Sequence, residues 1–210
     1  MIKVLIVDDH MVVREGLKQI LSETTDIAVV DEADRGYVAL KKIEEKEFNV
    51  VILDISLPDV SGLDILKQFK QQRPNINVLI LSIYSEEQYA IRALRGGASG
   101  YLSKESVSEE LIRAIRKISR GGKYIPPPLA EKLAFGLEVD FKNPLHEILS
   151  DREYQVMCMI ASGKRVKDIS GELFLSHKTI STYRQRILQK MKMKNNTEII
   201  RYAIKNKLID

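Results

Sequence analysis

The 210-residue chain reads as an α/β domain built on a five-stranded parallel sheet, followed by a smaller, all-α domain of four helices. Three observations lead there. Up to residue 121, short apolar runs of strand type alternate with segments whose apolar residues recur at helical spacing. From Leu149 onward every apolar pattern is helical and no strand-like run occurs. Between the two, Gly121–Gly122 and Pro126–Pro127–Pro128 interrupt both rhythms.

Strands are expected at 2–7, 27–32, 49–53, 77–81 and 99–102. Between them Val13, Leu17, Ile20 and Leu21, then Leu63, Leu66 and Phe69, mark the buried faces of helices. A last helix over 107–119 turns Leu111, Ile112, Ile115 and Ile118 inward. Alternation of this kind predicts parallel strands with helices on both faces of the sheet. A turn or two of helix is expected at 129–135, and Gly136 to Pro144 reads as linker. In the last third, helices are expected near 151–161, 166–173, 177–191 and 197–206. The organisation is therefore 1–121, a linker at 122–147, and 148–210.

Bulk properties narrow the classes of function. No apolar stretch has the length of a membrane span, and Met1–Ile2–Lys3 leads straight into a strand, so neither a signal peptide nor a membrane partner is expected. The single Cys158 falls in an apolar helical pattern and reads as core, and three scattered histidines suggest no metal cluster. A reducing, cytoplasmic setting fits. Charge is unevenly shared: residues 1–121 carry 17 Lys/Arg against 19 Asp/Glu, whereas 145–210 carry 13 against 7. That basic surplus suits a polyanionic partner such as nucleic acid.

Open parallel sheets form their sites beyond the C-terminal strand ends. Here those ends carry Asp8 and Asp9, Asp54, Ser82 and Lys104. Any one of these is ordinarily a turn former or helix cap, but the ordered set describes a phosphoryl acceptor. Asp54 is the nucleophile, and an anionic attacker on an anionic donor needs positive charge from Mg²⁺ and a lysine. Asp8, Asp9 and Asp54 are the expected Mg²⁺ ligands, with a backbone carbonyl near Ser56. Lys104 pairs with Asp54 before transfer, and Ser82 offers its hydroxyl to the phosphate afterwards.

On the motifs Val7–Asp8–Asp9–His10, Leu53–Asp54–Ile55, Leu57–Pro58–Asp59–Val60–Ser61–Gly62, Leu81–Ser82 and Gly97–Ala98–Ser99–Gly100–Tyr101–Leu102–Ser103–Lys104, residues 1–121 resemble the (βα)5 receiver domain of two-component response regulators. The resemblance implies a sensor histidine kinase as donor and a catalytic role confined to the protein's own phosphorylation and slow dephosphorylation. It also implies a switch pair, Ser82 and Tyr101, although the Tyr101 ring has a plainer reading as packing against the last helix. The resemblance also places Ser56 and Tyr84 at family positions that vary and tune phosphoryl lifetime.

In the last third, Ser176 is a good N-cap for a helix from His177, preceded closely by a helix ending near Leu173. Ser181, Thr182 and Gln185 share a face able to meet base edges in a major groove, while Lys178, Arg184 and Arg186 suit phosphates. Lys164, Lys167, Lys190, Lys192 and Lys194 are further basic candidates.

The stretches Leu149–Ser150–Asp151–Arg152–Glu153, Ile160–Ala161–Ser162–Gly163–Lys164 and Leu175–Ser176–His177–Lys178–Thr179–Ile180–Ser181–Thr182–Tyr183 resemble a LuxR-type helix-turn-helix. So does the continuation Ile187–Leu188–Gln189–Lys190–Met191 and Asn195–Asn196–Thr197–Glu198–Ile199–Ile200–Arg201–Tyr202–Ala203. The whole chain thus resembles the NarL/FixJ class, and its Ser181–Thr182–Tyr183 stretch and ending Asn206–Lys207–Leu208–Ile209 are similar to virulence and acid-response regulators. Arg165 and Val166 depart from the pattern and predict a weaker cap, and Ser170 and Gly171 a less rigid helix.

The resemblance implies promoter DNA as partner, with RNA polymerase a further candidate, and a homodimer through the terminal helix. There Ile199, Ile200, Ala203 and Ile204 read either as dimer contact or as core, with Ile200 and Ala203 the candidates to serve the core. Two other accounts compete. An aspartyl phosphatase would need a lid insertion that the chain lacks, and a phosphate-independent regulator would act by constitutive DNA binding or protein contacts.

Overall fold

The computed structural model describes residues 1–82, 87–104, 107–127, 130, 144–206 and 208–209. Tyr84, the segment 136–143 and, apart from Ala130, the expected helical turns at 129–135 lie outside these residues. The chain divides into two compact units, Met1–Phe135 and Gly136–Asp210.

The first unit alternates β1 (Ile2–Val7), α1 (Met11–Ser22), β2 (Ile27–Ala33), α2 (Gly36–Glu45), β3 (Val50–Asp54), α3 (Gly62–Gln72), β4 (Asn77–Ser82), α4 (Glu87–Arg95), β5 (Gly100–Ser103) and α5 (Val107–Ser119). The strands form one parallel sheet in the order β2-β1-β3-β4-β5, so the order reverses between β1 and β3. Val7 pairs with Leu53 there, which sets Asp8 beside Asp54 at the crevice where such sheets bind ligands. Alternation explains the two-sided burial. Val4, Ile6, Val50, Ile52, Leu79, Leu81 and Leu102 pack with Leu17 and Leu21 of α1 and Leu111, Ala114, Ile115 and Ile118 of α5. The intervening Leu5, Val7, Val51, Leu53, Val78 and Ile80 are equally buried on the opposite face. Each of the Val, Leu and Ile side chains among them contributes about 1.5–3 kcal/mol on leaving water.

Four of the five strands end one residue later than expected, two of them at the site. Asp54 and Ser82 are the last residues of β3 and β4 rather than the first beyond them, because pairing continues through Asp54 with Leu81 and Ser82 with Ser103. Both side chains thereby sit on ordered backbone. Past Asp54 the chain closes tightly, with Ser56 bridging Ser61 and the Gly62 N–H donating to the Ile55 carbonyl at 2.8 Å. A Cβ on Gly62 would fall 2.0 Å from the Asp54 carbonyl oxygen, so this approach demands glycine.

The second unit opens with a 3₁₀ turn, Leu145–Ile148, then α6 (Asp151–Ala161), α7 (Val166–Glu172), α8 (His177–Lys190) and α9 (Asn196–Lys205). Ser150 and Glu153 form a capping box: Ser150 Oγ accepts the Glu153 N–H, and Glu153 Oε2 accepts the Ser150 N–H at 2.8 Å. Ser176 Oγ takes the Thr179 N–H at 3.0 Å, as its position predicts. Arg165 supplies no cap of its own, but Asp168 reaches back to its N–H at 3.1 Å and also holds its guanidinium. The weaker cap expected there is offset in this way. Tyr154, Met157, Ile169, Leu173, Ile180, Ile187, Met191, Ile199, Ala203 and Leu208 form the buried interior. Ile199 and Ala203 are therefore core, which leaves Ile204 exposed and Ile200 half-buried on the terminal helix.

Candidate functional site

Asp54 is 2% exposed at the end of β3. Lys104, just past β5, extends across the strand ends and places Nζ 2.9 Å from Asp54 Oδ2 and 2.7 Å from Asp8 Oδ2. The Lys104 main chain is fixed by its N–H on the Ser82 carbonyl at 2.7 Å, so the buried Ser82 and Lys104 are located together. Asp8, Asp9, Asp54 and His10 each offer a donor atom, all within 4.8 Å of one another. Arg14 steadies the loop that carries the two acids by donating Nη1 to the Asp8 carbonyl at 2.8 Å.

Electrostatics follow from burial. Desolvation pushes the Asp54 carboxyl above the usual carboxylate range, and the neighbouring Asp8 charge adds to it; Lys104 and the Ser56 amide oppose. Desolvation works against charge on Lys104, yet the two carboxylates together outweigh it and raise its pKa above the ordinary lysine value. A fixed cation beside a buried, desolvated carboxylate suits transfer of an anionic group onto that carboxylate.

Tyr101 is buried in β5, opposite Ile80 of β4 and thus two residues short of Ser82. Ser56 is half-buried at the β3–α3 bridge.

Two side chains were not anticipated. His10 donates its N–H to Asp8 Oδ1 and sets Nδ1 2.9 Å from Asp9 Oδ1, which corrects the expectation that no histidine belongs to a metal-type cluster. Its place immediately after Asp9 was the available signal. Asp59 accepts the Gly36 and Tyr37 N–H groups at 3.0 Å each, capping α2 from the β3–α3 loop. No local pattern announces a cap supplied 22 or more residues away.

On α8, Lys178, Ser181, Thr182, Gln185 and Arg186 are exposed. Ser176, Lys178, Thr179, Thr182, Tyr183 and Arg186 line a shallow concavity of about 280 Å³. The Ser181 and Thr182 hydroxyls donate to the His177 and Lys178 carbonyls at 2.8 and 2.9 Å, which leaves their lone pairs to accept. Arg184 differs from its neighbours: it is half-buried, and Nε donates to Asn196 Oδ1 at 2.6 Å. Lys164 and Lys190 are also committed, to Glu172 at 2.5 Å and Glu153 at 2.6 Å, whereas Lys167, Lys192 and Lys194 lie exposed.

A doubly wound sheet with an acid cluster and lysine at its switch point, joined to a helix-turn-helix unit, defines a class, and comparison with known proteins agrees. Residues 4–116 match the response regulator receiver domain, and residues 147–203 match the LuxR family of bacterial regulatory proteins. The chain is 36% identical to the response regulator GacA of Pseudomonas syringae pv. syringae (strain B728a) over 211 residues, covering 100% of this chain and 99% of that one. It is 37% identical to the oxygen regulatory protein NreC of Staphylococcus carnosus (strain TM300), covering 99% of each. The crystal structure of a LuxR-family two-component response regulator from Aurantimonas sp. SI85-9A1 superposes with a TM-score of 0.62 at 30% identity, over 65% of this chain and 98% of that one. The chain belongs to the two-component response regulators. Within them it falls in the NarL/FixJ class, and it is a phosphorylation-controlled, DNA-binding transcription regulator.

Proposed function

We propose that Asp54 accepts a phosphoryl group from a sensor histidine kinase and that this controls the binding of promoter DNA by α8. The observation that carries the reading is Lys104, held between the buried carboxylates of Asp54 and Asp8. An Asp54 oxygen attacks phosphorus, the P–N bond of the donor phosphohistidine breaks, and the histidine nitrogen keeps the electron pair and takes up a proton. Lys104 then follows the charge onto a phosphoryl oxygen, and Ser82 turns its hydroxyl toward another. Tyr101 repacks beside Ser82, biasing a two-state surface of the receiver.

The donor set suits Mg²⁺. Asp8, Asp9, Asp54 and the Ser56 carbonyl are hard oxygen ligands, and three carboxylates against one lysine leave a surplus of negative charge that a divalent cation balances. Bound there, Mg²⁺ supplies positive charge beside the phosphoryl oxygens.

On the DNA side, Ser181, Thr182 and Gln185 meet base edges, and Lys178, Arg184 and Arg186 meet phosphates. Two copies joined through α9, with Ile204 exposed on it, read paired half-sites, and RNA polymerase is a further contact. Turnover is confined to the protein's own phosphoryl group, and the work is done in the cytoplasm, where promoter DNA is. The receiver spans 1–121 and the DNA-binding domain 148–210. The intervening 122–147 is a linker docked at both ends, with Tyr124 against β5 and His146 against Tyr202 of α9.

The test is selection from a genomic fragment library by purified protein, with and without acetyl phosphate and Mg²⁺, beside Asp54→Ala. Enrichment that rises with phosphodonor only when Asp54 is present supports the reading. Selective binding indifferent to phosphate refutes the control by Asp54 and leaves the DNA-binding assignment standing.

A further inference from the structure

Among the described residues β5 is the outermost strand on its side of the sheet, with no further strand beside its outer backbone groups. One residue from just beyond α5 takes them instead. Tyr124 donates its N–H to the Ser99 carbonyl at 2.9 Å and accepts the Tyr101 N–H at 3.2 Å, forming a parallel bridge beside Gly100. A Cβ at position 100 would stand 2.7 Å from the Tyr124 carbonyl oxygen, so this close approach needs glycine. Side chains fasten the same segment. Lys123 Nζ donates to the Ala98 carbonyl at 2.7 Å, and Lys117 Nζ lies 5.9 Å from the centre of the Tyr124 ring. Tyr124 packs against the core cluster to which α5 contributes, and its hydroxyl bonds with Glu110.

Tyr101 therefore has the sheet on one side and the start of the linker on the other. Ile80 of β4 pairs with it, two residues before Ser82, and Tyr124 takes its amide.

We propose that Lys123–Tyr124 is a strap through which the state of Asp54 reaches the chain that leads to the DNA-binding unit. The inference rests on the reading of Asp54 as acceptor and of Tyr101 as the partner of Ser82. Repacking of Tyr101 displaces the β5 backbone, and both hydrogen bonds of the strap are made to that backbone. A pairing one residue long is marginal, so a small displacement makes or releases it. Release adds free chain ahead of the stiff Pro126–Pro127–Pro128 and lengthens the reach of the linker.

Hydrogen exchange on the full chain, with and without beryllofluoride and Mg²⁺, tests the strap directly. Protection of the Tyr124 and Tyr101 amides is expected to change by about tenfold or more. Tyr124→Ala is expected to take phosphate from acetyl phosphate at the wild-type rate, while its phosphate-dependent gain in DNA affinity falls from about tenfold to under twofold. Tyr124→Phe, which keeps the ring and the backbone bridge, retains the gain. Gly100→Ala, whose Cβ presses on the Tyr124 carbonyl and on Ile118 Cδ1 and leaves Asp54, Ser82 and Lys104 in place, repeats the loss, and thermal melts confirm that each variant is folded. Amides indifferent to beryllofluoride, or a full gain retained by Tyr124→Ala, overturn the strap. Phosphate incorporation is read separately on every protein: an Asp54 that takes up none, or wild-type DNA affinity that ignores it, overturns the underlying reading and the strap with it.

Discussion

The Lys104 ammonium stands 2.9 Å from Asp54 Oδ2, across the ends of β3 and β5, and 2.7 Å from Asp8 Oδ2, so the buried charges compensate one another. Removing the cation leaves Asp54 and Asp8 facing one another without compensation. Lys104→Met keeps most of the side chain's length and bulk and removes the charge together with its N–H donors. It is expected to slow phosphorylation from acetyl phosphate by about a hundredfold, the usual consequence of losing one preorganised charge donor. The initial rate of phosphoprotein formation is the measurement, and a rate within about threefold of wild type would remove Lys104 from the chemistry.

Mg²⁺ is expected to stabilise the folded receiver, since the acids converge only after folding. At about a hundred times its dissociation constant, free Mg²⁺ adds ~2.7 kcal/mol by mass action, read as a rise in Tm. Asp8→Asn and Asp9→Asn each replace a charged carboxylate ligand by a neutral amide and are expected to abolish most of that rise. Asp34→Asn, at an exposed carboxylate, serves as the control and keeps it. A wild-type Tm that does not respond to Mg²⁺ would contradict the ligand set.

The sheet and the acid cluster were legible because parallel strands buried on both faces write continuous apolar runs, as in Val50–Val51–Ile52–Leu53, and the site lies where those runs stop. Legibility fails where a long-range partner decides. Asp59 looks like any turn residue until α2 is brought beside it, and Tyr124 makes a strand one residue long, too short for any period to show. The strand ends at Asp54 and Ser82 were placed one residue early for the same reason: polar residues end an apolar run, but the ladder continues through their backbone. On the terminal helix Ala203 was legible as core, but the apolar stripe alone did not separate the buried Ile199 from the exposed Ile204, and Ile200 is only half-buried.

Asp31 gives a test of pH dependence away from the phosphoryl site. Burial alone would raise its pKa, but hydrogen bonds from Lys42 and Lys46 overcome this and bring it down from 3.8 to about 2. A depressed carboxylate stabilises the fold above its unfolded pKa, and that contribution is lost as pH falls through the folded value. The stabilisation is about 1 kcal/mol once solvent screening of the two lysines is allowed for. Asp31→Asn is therefore expected to lower stability by about 1 kcal/mol at pH 7, and the difference from wild type shrinks by about half at pH 3. Urea denaturation at the two pH values measures it, and a difference that widens toward acid would reverse the sign of the argument.

The recognition helix predicts three separable outcomes. Thr182 and Gln185 are exposed, and the Thr182 hydroxyl already spends its proton on Lys178, so in the proposed complex it is available to DNA as an acceptor. Thr182→Val keeps the shape and removes that acceptor, and Gln185→Ala removes an amide. Each is expected to cost about 1–3 kcal/mol on the preferred site and to relax the preference at one base pair. Arg186→Ala is expected to weaken all sequences alike and to make the dependence of log K on log salt shallower by about 0.9, the signature of one lost phosphate contact. Arg184→Ala is the discriminating case. Its guanidinium joins α8 to the start of α9 through Asn196 at 2.6 Å, so Tm as well as DNA affinity is expected to fall. Binding isotherms across a salt series, beside thermal melts, separate the three. A shallower salt slope with unchanged Tm in Arg184→Ala would make this arginine a simple phosphate contact and the bond to Asn196 dispensable.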